Sequence, residues 1–332
     1  TLRRVHEPRQ SSAGARGDGQ HGDEQEPSHG PAPVLHLFAT ARCARSCGAL
    51  NPALTRLFWR FDFDKGDGMV ELRKILITGG AGLVGEVLRA HLSDRYILSS
   101  LDLKEAEGVT SFVGDLSDLD AITLAFEGKH TVVHLAADRR AYSDWPSTLD
   151  NNIVATYNVF EAAKRAGVKR VVFASSNHSQ GGFYLDDPWK KVAEGRFEEL
   201  EPGYRLVNED DRIRPDGYYG VSKAFGEALG SYYDDYHGVS SIHLRIGWVL
   251  SDDDPTFSPF ALSLWLSHRD TAQAVSKAID APDSLRYAVT YVTSDNQWKI
   301  FSIDRARQVL GYAPEDSAGG EWEDRDPPLR DQ

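Results

Sequence analysis

Short runs of apolar, mostly β-branched residues alternate with helical stretches from residue 74 onward. The apolar runs predict buried strands at 75–78, 96–101, 131–135, 170–174, 242–246 and 287–291. The stretches with helical character predict helices at 83–92, 119–126, 152–167, 219–236, 271–281 and 302–310. Strands that alternate with helices in this way form parallel sheets with helices on both faces. The pattern therefore predicts an α/β fold built on a doubly wound parallel sheet.

The first 68 residues lack this pattern. Gly, Ser, Pro, Arg and His are scattered there without a sustained period, which is typical of a segment that does not pack. Met69 is the only methionine of the chain, and it leads directly into the first strand. We therefore expect residues 1–68 to be a disordered or spurious extension and the folded domain to span 69–313.

Two further segments depart from the alternation. Residues 183–215 are polar and charged, and this interval is longer than ordinary α/β connections, so we expect a lid or rim rather than core. Residues 314–332 are rich in Asp, Glu, Gly and Pro, which predicts an acidic flexible tail.

The composition limits the partners and the location. A net charge of −13 argues against a nucleic-acid or anionic-membrane partner, and no apolar run approaches the ~18 residues of a membrane helix, so we expect a cytoplasmic protein. Acidity combined with few lysines predicts a halophilic source, although a GC-rich genome also enriches arginine. Cys43 and Cys47 have no partners at zinc-ligand spacing, so no metal site is expected.

A glycine-rich turn joins the first predicted strand to its helix. Gly79, Gly82 and Gly85 let the backbone approach a pyrophosphate, which then faces the free N–H groups of the helix N-terminus. Asp102 follows the second strand, where a carboxylate accepts hydrogen bonds from ribose hydroxyls and repels a 2′-phosphate. The turn and the carboxylate predict a site for NAD rather than NADP. Because Lys104 follows two residues after Asp102, NADP is not excluded. Other residues expected at this site are Leu83, Val84, Leu103, Asp115, Leu116, Leu135, Ala136 and Ala137.

Tyr219 and Lys223 lie four residues apart at the start of a predicted helix, so both side chains emerge on one face. A free tyrosine titrates near pH ~10, and a neighbouring cation favours the phenolate. The pair is therefore suited to abstract a proton from a substrate hydroxyl. Ser176, Asn177 and His178 follow the strand at 170–174 and are expected at the carboxyl edge of the sheet, where ligands bind.

The glycine-rich turn, Asp102, Asp115, Ser176 and the Tyr219-x-x-x-Lys223 pair together resemble the extended short-chain dehydrogenase/reductases. This resemblance covers about residues 72–312. It implies a Rossmann-type sheet with a small C-terminal substrate-binding part, to which insertions at about 183–215 and 248–270 contribute.

The same resemblance implies a role for each catalytic residue. Tyr219 transfers the proton, and Lys223 binds the nicotinamide ribose and lowers the pKa of Tyr219. Ser176 hydrogen-bonds the reacting oxygen, and Asn152 holds a proton-relay water and the lysine.

Four segments look like the NAD-dependent uronate dehydrogenases and the related haloarchaeal sugar 1-dehydrogenases, at 173–178, 214–223, 244–247 and 264–268. These enzymes oxidise C1 of a cyclic sugar to a lactone. The resemblance implies that Asn177 and His178 contact the sugar. It also suggests a homodimer through the helices that follow Asn152 and Tyr219.

Several positions depart from the uronate dehydrogenase pattern. Phe260 stands where those enzymes carry an arginine for the substrate carboxylate, and Trp248 replaces a small hydroxyl residue. Arg139 and Arg140 follow the predicted cofactor residues, where they could clamp a carboxylate or phosphate or instead pair with nearby aspartates on the surface.

The sequence thus predicts an NAD-dependent oxidoreductase that oxidises C1 of an aldose, uronate or sugar phosphate. One alternative is a nucleotide-sugar epimerase or dehydratase of the same superfamily, which usually needs a larger C-terminal region. Another is a non-catalytic NAD-binding scaffold, against which the joint retention of Asn152, Ser176, Tyr219 and Lys223 argues.

Overall fold

The computed structural model describes residues 72–139 and 144–327. Within these ranges seven parallel strands form one sheet in the order β3-β2-β1-β4-β5-β6-β7. The strands are β1 (Lys74–Thr78), β2 (Ile97–Asp102), β3 (Thr110–Val113), β4 (Thr131–His134), β5 (Arg170–Ser176), β6 (Ser240–Ile246) and β7 (Tyr287–Val292). The predicted doubly wound parallel sheet is confirmed. The predicted extension at 1–68 lies outside the described residues, as does Arg140.

Helices cover both faces of the sheet. The α-helices of the described residues are α1 (Leu83–Leu92), α2 (Leu119–Ile122), α3 (Trp145–Ser147), α4 (Ala155–Arg165), α5 (Trp189–Ala193), α6 (Tyr218–His237), α7 (Pro259–Leu264), α8 (His268–Ile279) and α9 (Asp304–Leu310). Single-turn or irregular segments are 3-10 helical at Thr123–Phe126, Asn177–Leu185 and Phe197–Glu199, and π-helical at Thr148–Val154.

The central strands are buried on both faces, as is usual in parallel sheets. Successive residues of a strand point to opposite faces, so Ile75 and Ile77 pack with α1 and α8 whereas Leu76 packs with α4. All three side chains are at most 1% exposed. Burial on both faces explains why these strands appear in the sequence as continuous apolar runs, and it places their carboxyl ends along one edge.

A buried ion pair joins this sheet to α6. The guanidinium of Arg245 in β6 donates to both carboxylate oxygens of Glu227, at 2.8 Å each, and both residues are at most 5% exposed. A third N–H of Arg245 donates to Gln180 at 2.8 Å, and the guanidinium lies over the ring of Tyr291. The hydroxyl of Ser175 also donates to Glu227. The ion pair and its neighbours thus connect β5, β6, β7, α6 and the 177–185 segment.

The helix predicted over 152–167 begins earlier and less regularly. The carboxylate of Asp144 accepts from the backbone N–H of Ser147 and caps α3, and Pro146 occupies the first turn, where its missing N–H is not needed. The π-helical segment follows, and α4 begins at Ala155. Such segments occur frequently at functional sites, and this one carries Asn152.

The insertion at 183–215 packs more firmly than a polar lid. Trp189, Val192 and Val207 are at most 8% exposed. They share an apolar cluster with Leu264 of α7 and with Phe301. The few apolar residues of this polar interval therefore form a small core against the insertion at 248–270.

Residues 314–327 also differ from the flexible tail that their composition predicts. The backbone N–H of Asp295 donates to the carbonyl of Asp316 at 2.8 Å, and the fully buried carboxylate of Asp270 accepts from the N–H of Asp316 at 3.1 Å. The ring of Trp322 packs edge-on against Phe197 of the insertion. Acidic composition favours solvation, but here residues distant in sequence supply hydrogen-bond and ring partners.

In the described part of the chain, no helix has both the length and the apolar character needed to cross a membrane.

We predict that Glu227→Gln lowers the free energy of unfolding by about 3–5 kcal/mol, because it leaves the buried charge of Arg245 without its counter-ion. Urea unfolding followed by circular dichroism would measure this change. The control is Asp210→Asn, which removes one of the two carboxylates that pair with Arg305, at a side chain that is 79% exposed, and there a change below about 1 kcal/mol is expected. Equal effects of the two variants would contradict the role given to burial.

Candidate active site

A cleft of about 1240 Å³ runs along the carboxyl ends of the central strands. This volume exceeds the roughly 300–1,000 Å³ of a pocket for one small molecule, so it suits a dinucleotide and a second ligand together. The predicted site residues that line the cleft are Gly79, Gly82, Leu83, Val84, Gly85, Asp102, Leu103, Asp115, Leu116, Leu135, Ala136, Ala137, Arg139, Ser176, Asn177, His178, Tyr219, Lys223, Trp248 and Phe260. Asn152 lies behind this lining, and Arg140 falls outside the described residues.

One end of the cleft has the features of a dinucleotide site. Gly79 has a φ of +73°, and a Cβ there would lie 2.7 Å from the backbone nitrogen of Ala136, so only glycine fits this turn. Gly82 is the N-cap of α1, so no side chain occupies the free N–H groups of the first turn. The carboxylate of Asp102 accepts from the backbone N–H of Ala81 at 3.0 Å, which fixes it beside the turn. The residues present therefore fit NAD.

Ser176, Tyr219 and Lys223 meet at the centre of the cleft. Burial raises the pKa of the Tyr219 phenol to about 12, while a hydrogen bond from Ser176 and the charge of Arg139 lower it. Both of the latter effects favour the phenolate. The structure thus brings Arg139, predicted only as a substrate contact, close enough to act on the tyrosine.

Lys223 lies below the tyrosine ring, as the helical spacing predicts. Its Nζ is 5.2 Å from the ring centroid of Tyr219 and 5.0 Å from that of Phe173. The side chain is nearly fully buried, and burial lowers the pKa of Lys223 to about 7. The spacing of Tyr219 and Lys223 predicts a charged lysine and a lowered tyrosine pKa. In the structure burial opposes both, because it disfavours the ammonium as well as the phenolate.

Asn152 braces the loop after β4. Its amide accepts from the backbone N–H of Asp138 at 2.7 Å and donates to the carbonyl of the same residue at 3.1 Å. It also donates to Ser222 of α6 at 3.2 Å. These bonds hold the residue before Arg139 against the helix that carries Tyr219. The implied role in proton relay stays a prediction.

The other end of the cleft combines polar groups with an aromatic wall. The amide of Asn177 donates to the hydroxyl of Tyr184, and Tyr184 packs edge-on against Phe260 at 5.0 Å. Trp248 lies 6.3 Å from the ring of Phe260. His178 pairs with a carboxylate through Nδ1 and packs edge-on against Tyr219. These side chains provide a surface with the mixed polarity of a sugar.

Three residues that support the site had no predicted role. Glu227 follows Lys223 by one helical turn. This spacing is visible in the sequence, but the sequence does not indicate that Glu227 pairs with Arg245. Tyr184 and Asp216 contact Asn177 and His178. Asp216 stands three residues before Tyr219, so proximity to the catalytic stretch was the only available signal.

Within the described residues, no group of three or more His, Cys, Asp or Glu side chains is arranged to hold a metal ion.

Comparison with known proteins gives consistent matches. The sequence profile of the NAD dependent epimerase/dehydratase family matches residues 75–264. The L-arabinose 1-dehydrogenase (NAD(P)(+)) of Haloferax volcanii is 38% identical over 257 residues, covering 74% of this chain and 98% of the relative. The NAD-dependent glucose-6-phosphate dehydrogenase of the same organism is 37% identical over 253 residues, covering 74% and 94%. A solved structure of a mutant uronate dehydrogenase from Agrobacterium tumefaciens, complexed with NAD, matches with a TM-score of 0.63 and 30% identity, covering 75% of this chain and 86% of that chain.

We predict that Lys223→Met stabilises the cofactor-free protein at pH 7 and changes how its stability depends on pH. The unfolded lysine, with a pKa of 10.5, still binds a proton between pH 7 and 10.5, whereas the folded lysine has released it. Wild-type stability should therefore rise with pH across this window relative to the variant, by at most about 1.4 kcal/mol per pH unit.

Urea titrations at several pH values and constant salt would measure this difference. Lys277→Met, at an exposed position of α8, is the control, and its curve of stability against pH should run parallel to that of the wild type. A Lys223→Met curve that also runs parallel would show that Lys223 is not held in its neutral form.

Proposed function

The chain belongs to the NAD dependent epimerase/dehydratase family, and from this membership we propose that it is an NAD-dependent dehydrogenase that oxidises C1 of a cyclic sugar to a lactone. The observation that carries the proposal is the convergence of Ser176, Tyr219 and Lys223 in one cleft with the glycine-rich turn and Asp102. The family predicted from the sequence is confirmed. So is the class of enzyme, since the relatives that are 38% and 37% identical are sugar dehydrogenases named for NAD(P)(+) and for NAD, respectively.

In the proposed reaction, the C1 hydroxyl of the sugar loses its proton and C1 loses a hydride. The N-terminus of α1 and Asp102 would hold NAD, which would supply the hydride acceptor when bound. Tyr219 takes the proton, and Ser176 hydrogen-bonds the same substrate oxygen. The hydrogen bond from Ser176 and the charge of Arg139 favour the phenolate, which is the form able to accept a proton. Holding the hydroxyl in this orientation contributes to the rate as well.

The proposed substrates are aldoses, uronates and sugar phosphates. The relatives reported above are named for L-arabinose, glucose 6-phosphate and uronate. Trp248 and Phe260 favour contact with the apolar face of a ring, whereas Arg139 favours an anionic group. We also propose a cytoplasmic location and a salt-adapted source. The acidic, lysine-poor composition supports the salt adaptation, so assays belong in concentrated salt as well as dilute buffer.

We predict that Tyr219→Phe lowers kcat for sugar oxidation by about 10²-fold or more, because the proton acceptor is lost. Absorbance of NADH, with a panel of aldoses, uronates and sugar phosphates, measures the rate. Tyr218→Phe is the matched control: Tyr218 is the adjacent residue and is 43% exposed, so its variant should stay within about twofold of the wild type.

Full activity of Tyr219→Phe would contradict the assignment, and so would an absence of turnover with every sugar of the panel. Conversion of a nucleotide sugar without net NADH would identify an epimerase instead.

We further propose a homodimer in which α4 and α6 of two copies pack together. Tyr157 of α4 and Tyr232 and Tyr236 of α6 are 46%, 48% and 74% exposed, and Val221 on α6 is 41% exposed. Large exposed apolar side chains on neighbouring helices are typical of contact surfaces.

We predict that Tyr232→Glu, combined with Tyr236→Glu, converts the dimer to a monomer, since two charges would be buried at the contact. Sedimentation velocity measures the change. Leu185→Glu, at a residue that is 74% exposed outside α4 and α6, should leave the mass unchanged. A wild-type protein that sediments as a monomer would rule out the proposal.

A further inference from the structure

Residues 322–325, which form the C-terminal strap, hydrogen-bond to the loop that precedes α7. The backbone N–H of Glu323 donates to the carbonyl of Thr256 at 2.9 Å. The backbone N–H of Arg325 donates to the carbonyl of Phe257 at 3.4 Å. Two successive residues of the loop are therefore held by alternate residues of the strap.

Phe257 connects this loop to the wall of the cleft. Its side chain is 3% exposed, and its ring packs edge-on against Trp248 with centroids 5.5 Å apart. Trp248 lines the cleft together with Phe260. We propose that the C-terminal strap positions the indole of Trp248 through Phe257 and thereby contributes to the choice of substrate. This inference rests on the proposed function as a sugar dehydrogenase.

The strap acts on the ring of Trp248 rather than on its backbone. The N–H of Trp248 donates to the carbonyl of Leu264 at 2.7 Å, and its carbonyl accepts from the N–H of Leu266 at 3.0 Å. These bonds fix the backbone, whereas the side-chain rotamer depends on the rings packed around it. Phe257 and Phe260 pack against that ring, so a displacement of Phe257 would free one side of the indole.

The side chain of Arg325 reinforces the backbone contacts. Its guanidinium pairs with Asp254, donates to the hydroxyl of Thr256 at 3.2 Å and lies 5.9 Å from the ring centroid of Phe257. The two charged side chains are 39% and 42% exposed, and exposed ion pairs contribute little stability. The strap is therefore held mainly by its backbone hydrogen bonds and ring contacts.

Trp322 joins the other end of the strap to the insertion at 183–215. Its ring packs edge-on against Phe197, with centroids 5.7 Å apart. A Cβ at Gly195 would lie 2.8 Å from the Trp322 ring, so the insertion approaches this ring closely. The strap thus bridges this insertion and the one at 248–270, and both supply aromatic side chains to the wall of the cleft.

The first test measures whether the strap acts on Trp248. In protein labelled with 5-fluorotryptophan, the fluorine-19 NMR signal that disappears in Trp248→Phe identifies this residue. That signal should shift in Glu323→Pro, which has no N–H for the carbonyl of Thr256. Glu323→Ala is the matched control, because it changes the same exposed side chain but keeps the N–H, and its Trp248 signal should match the wild type. An unchanged signal in Glu323→Pro would overturn the inference, whether or not the protein oxidises any sugar.

The second test measures substrate affinity. Glu323→Pro should raise KM for the best sugar by about three- to tenfold, the effect of one weakened contact. KM for NAD should stay within about twofold of the wild type, because the dinucleotide end of the cleft is built on β1, β2 and the glycine-rich turn. Glu323→Ala should leave both values unchanged. Equal rises in the two KM values would indicate a general loosening of the fold and would overturn the inference.

The third test measures whether the effect on KM depends on Trp248. In a Trp248→Ala background the indole is absent, so adding Glu323→Pro should change KM for the sugar by less than about twofold. A further rise as large as in the wild-type background would show that the strap acts by another route, and that result would overturn the inference. Failure of the wild type to oxidise any sugar would refute the proposed function, while the fluorine-19 spectrum would still decide whether the strap positions Trp248.

Discussion

Arg245 reaches both carboxylate oxygens of Glu227 inside the protein, where water cannot replace either partner. Two charges removed from water are tolerated only when each finds a well-aligned counter-ion and further hydrogen bonds, and Ser175, Gln180 and Tyr291 supply those. The ion pair therefore requires a single relative arrangement of β5, β6, β7 and α6. Ser176 lies on β5 and Lys223 on α6. The distance between them therefore depends on the Arg245–Glu227 ion pair, although neither residue takes part in it.

Burial also acts on the protonation of the Tyr219–Lys223 pair. It raises the pKa of Tyr219 and lowers that of Lys223, because a low-dielectric environment disfavours both charged forms. In the protein alone, burial therefore favours the neutral forms of both side chains once the pH is above about 7. Ser176 and Arg139 oppose burial by lowering the pKa of Tyr219. Asn152 hydrogen-bonds the backbone of Asp138 and so fixes the position from which the side chain of Arg139 starts.

The end of the cleft away from the glycine-rich turn is assembled from segments that are far apart in the chain. Tyr184 comes from one insertion and Trp248 and Phe260 come from another, and Trp189 packs with them in the same apolar cluster. Each segment alone is polar or irregular, and their aromatic side chains meet only after folding. This dependence explains how the specificity of the site can vary while the sheet and the dinucleotide end stay the same.

The sequence by itself determined the sheet, the dinucleotide turn and the Tyr219-Lys223 pair, because each depends on a local rule. Continuous apolar runs mark strands buried on both faces, a glycine marks the positive φ at residue 79, and a spacing of four places two side chains on one helix face. The tertiary structure decided the partners that lie far apart in the chain. Glu227 with Arg245, Asp216 with His178 and Asp270 with the C-terminal segment meet only after folding, and burial, which no local pattern encodes, fixed the charges of Tyr219 and Lys223.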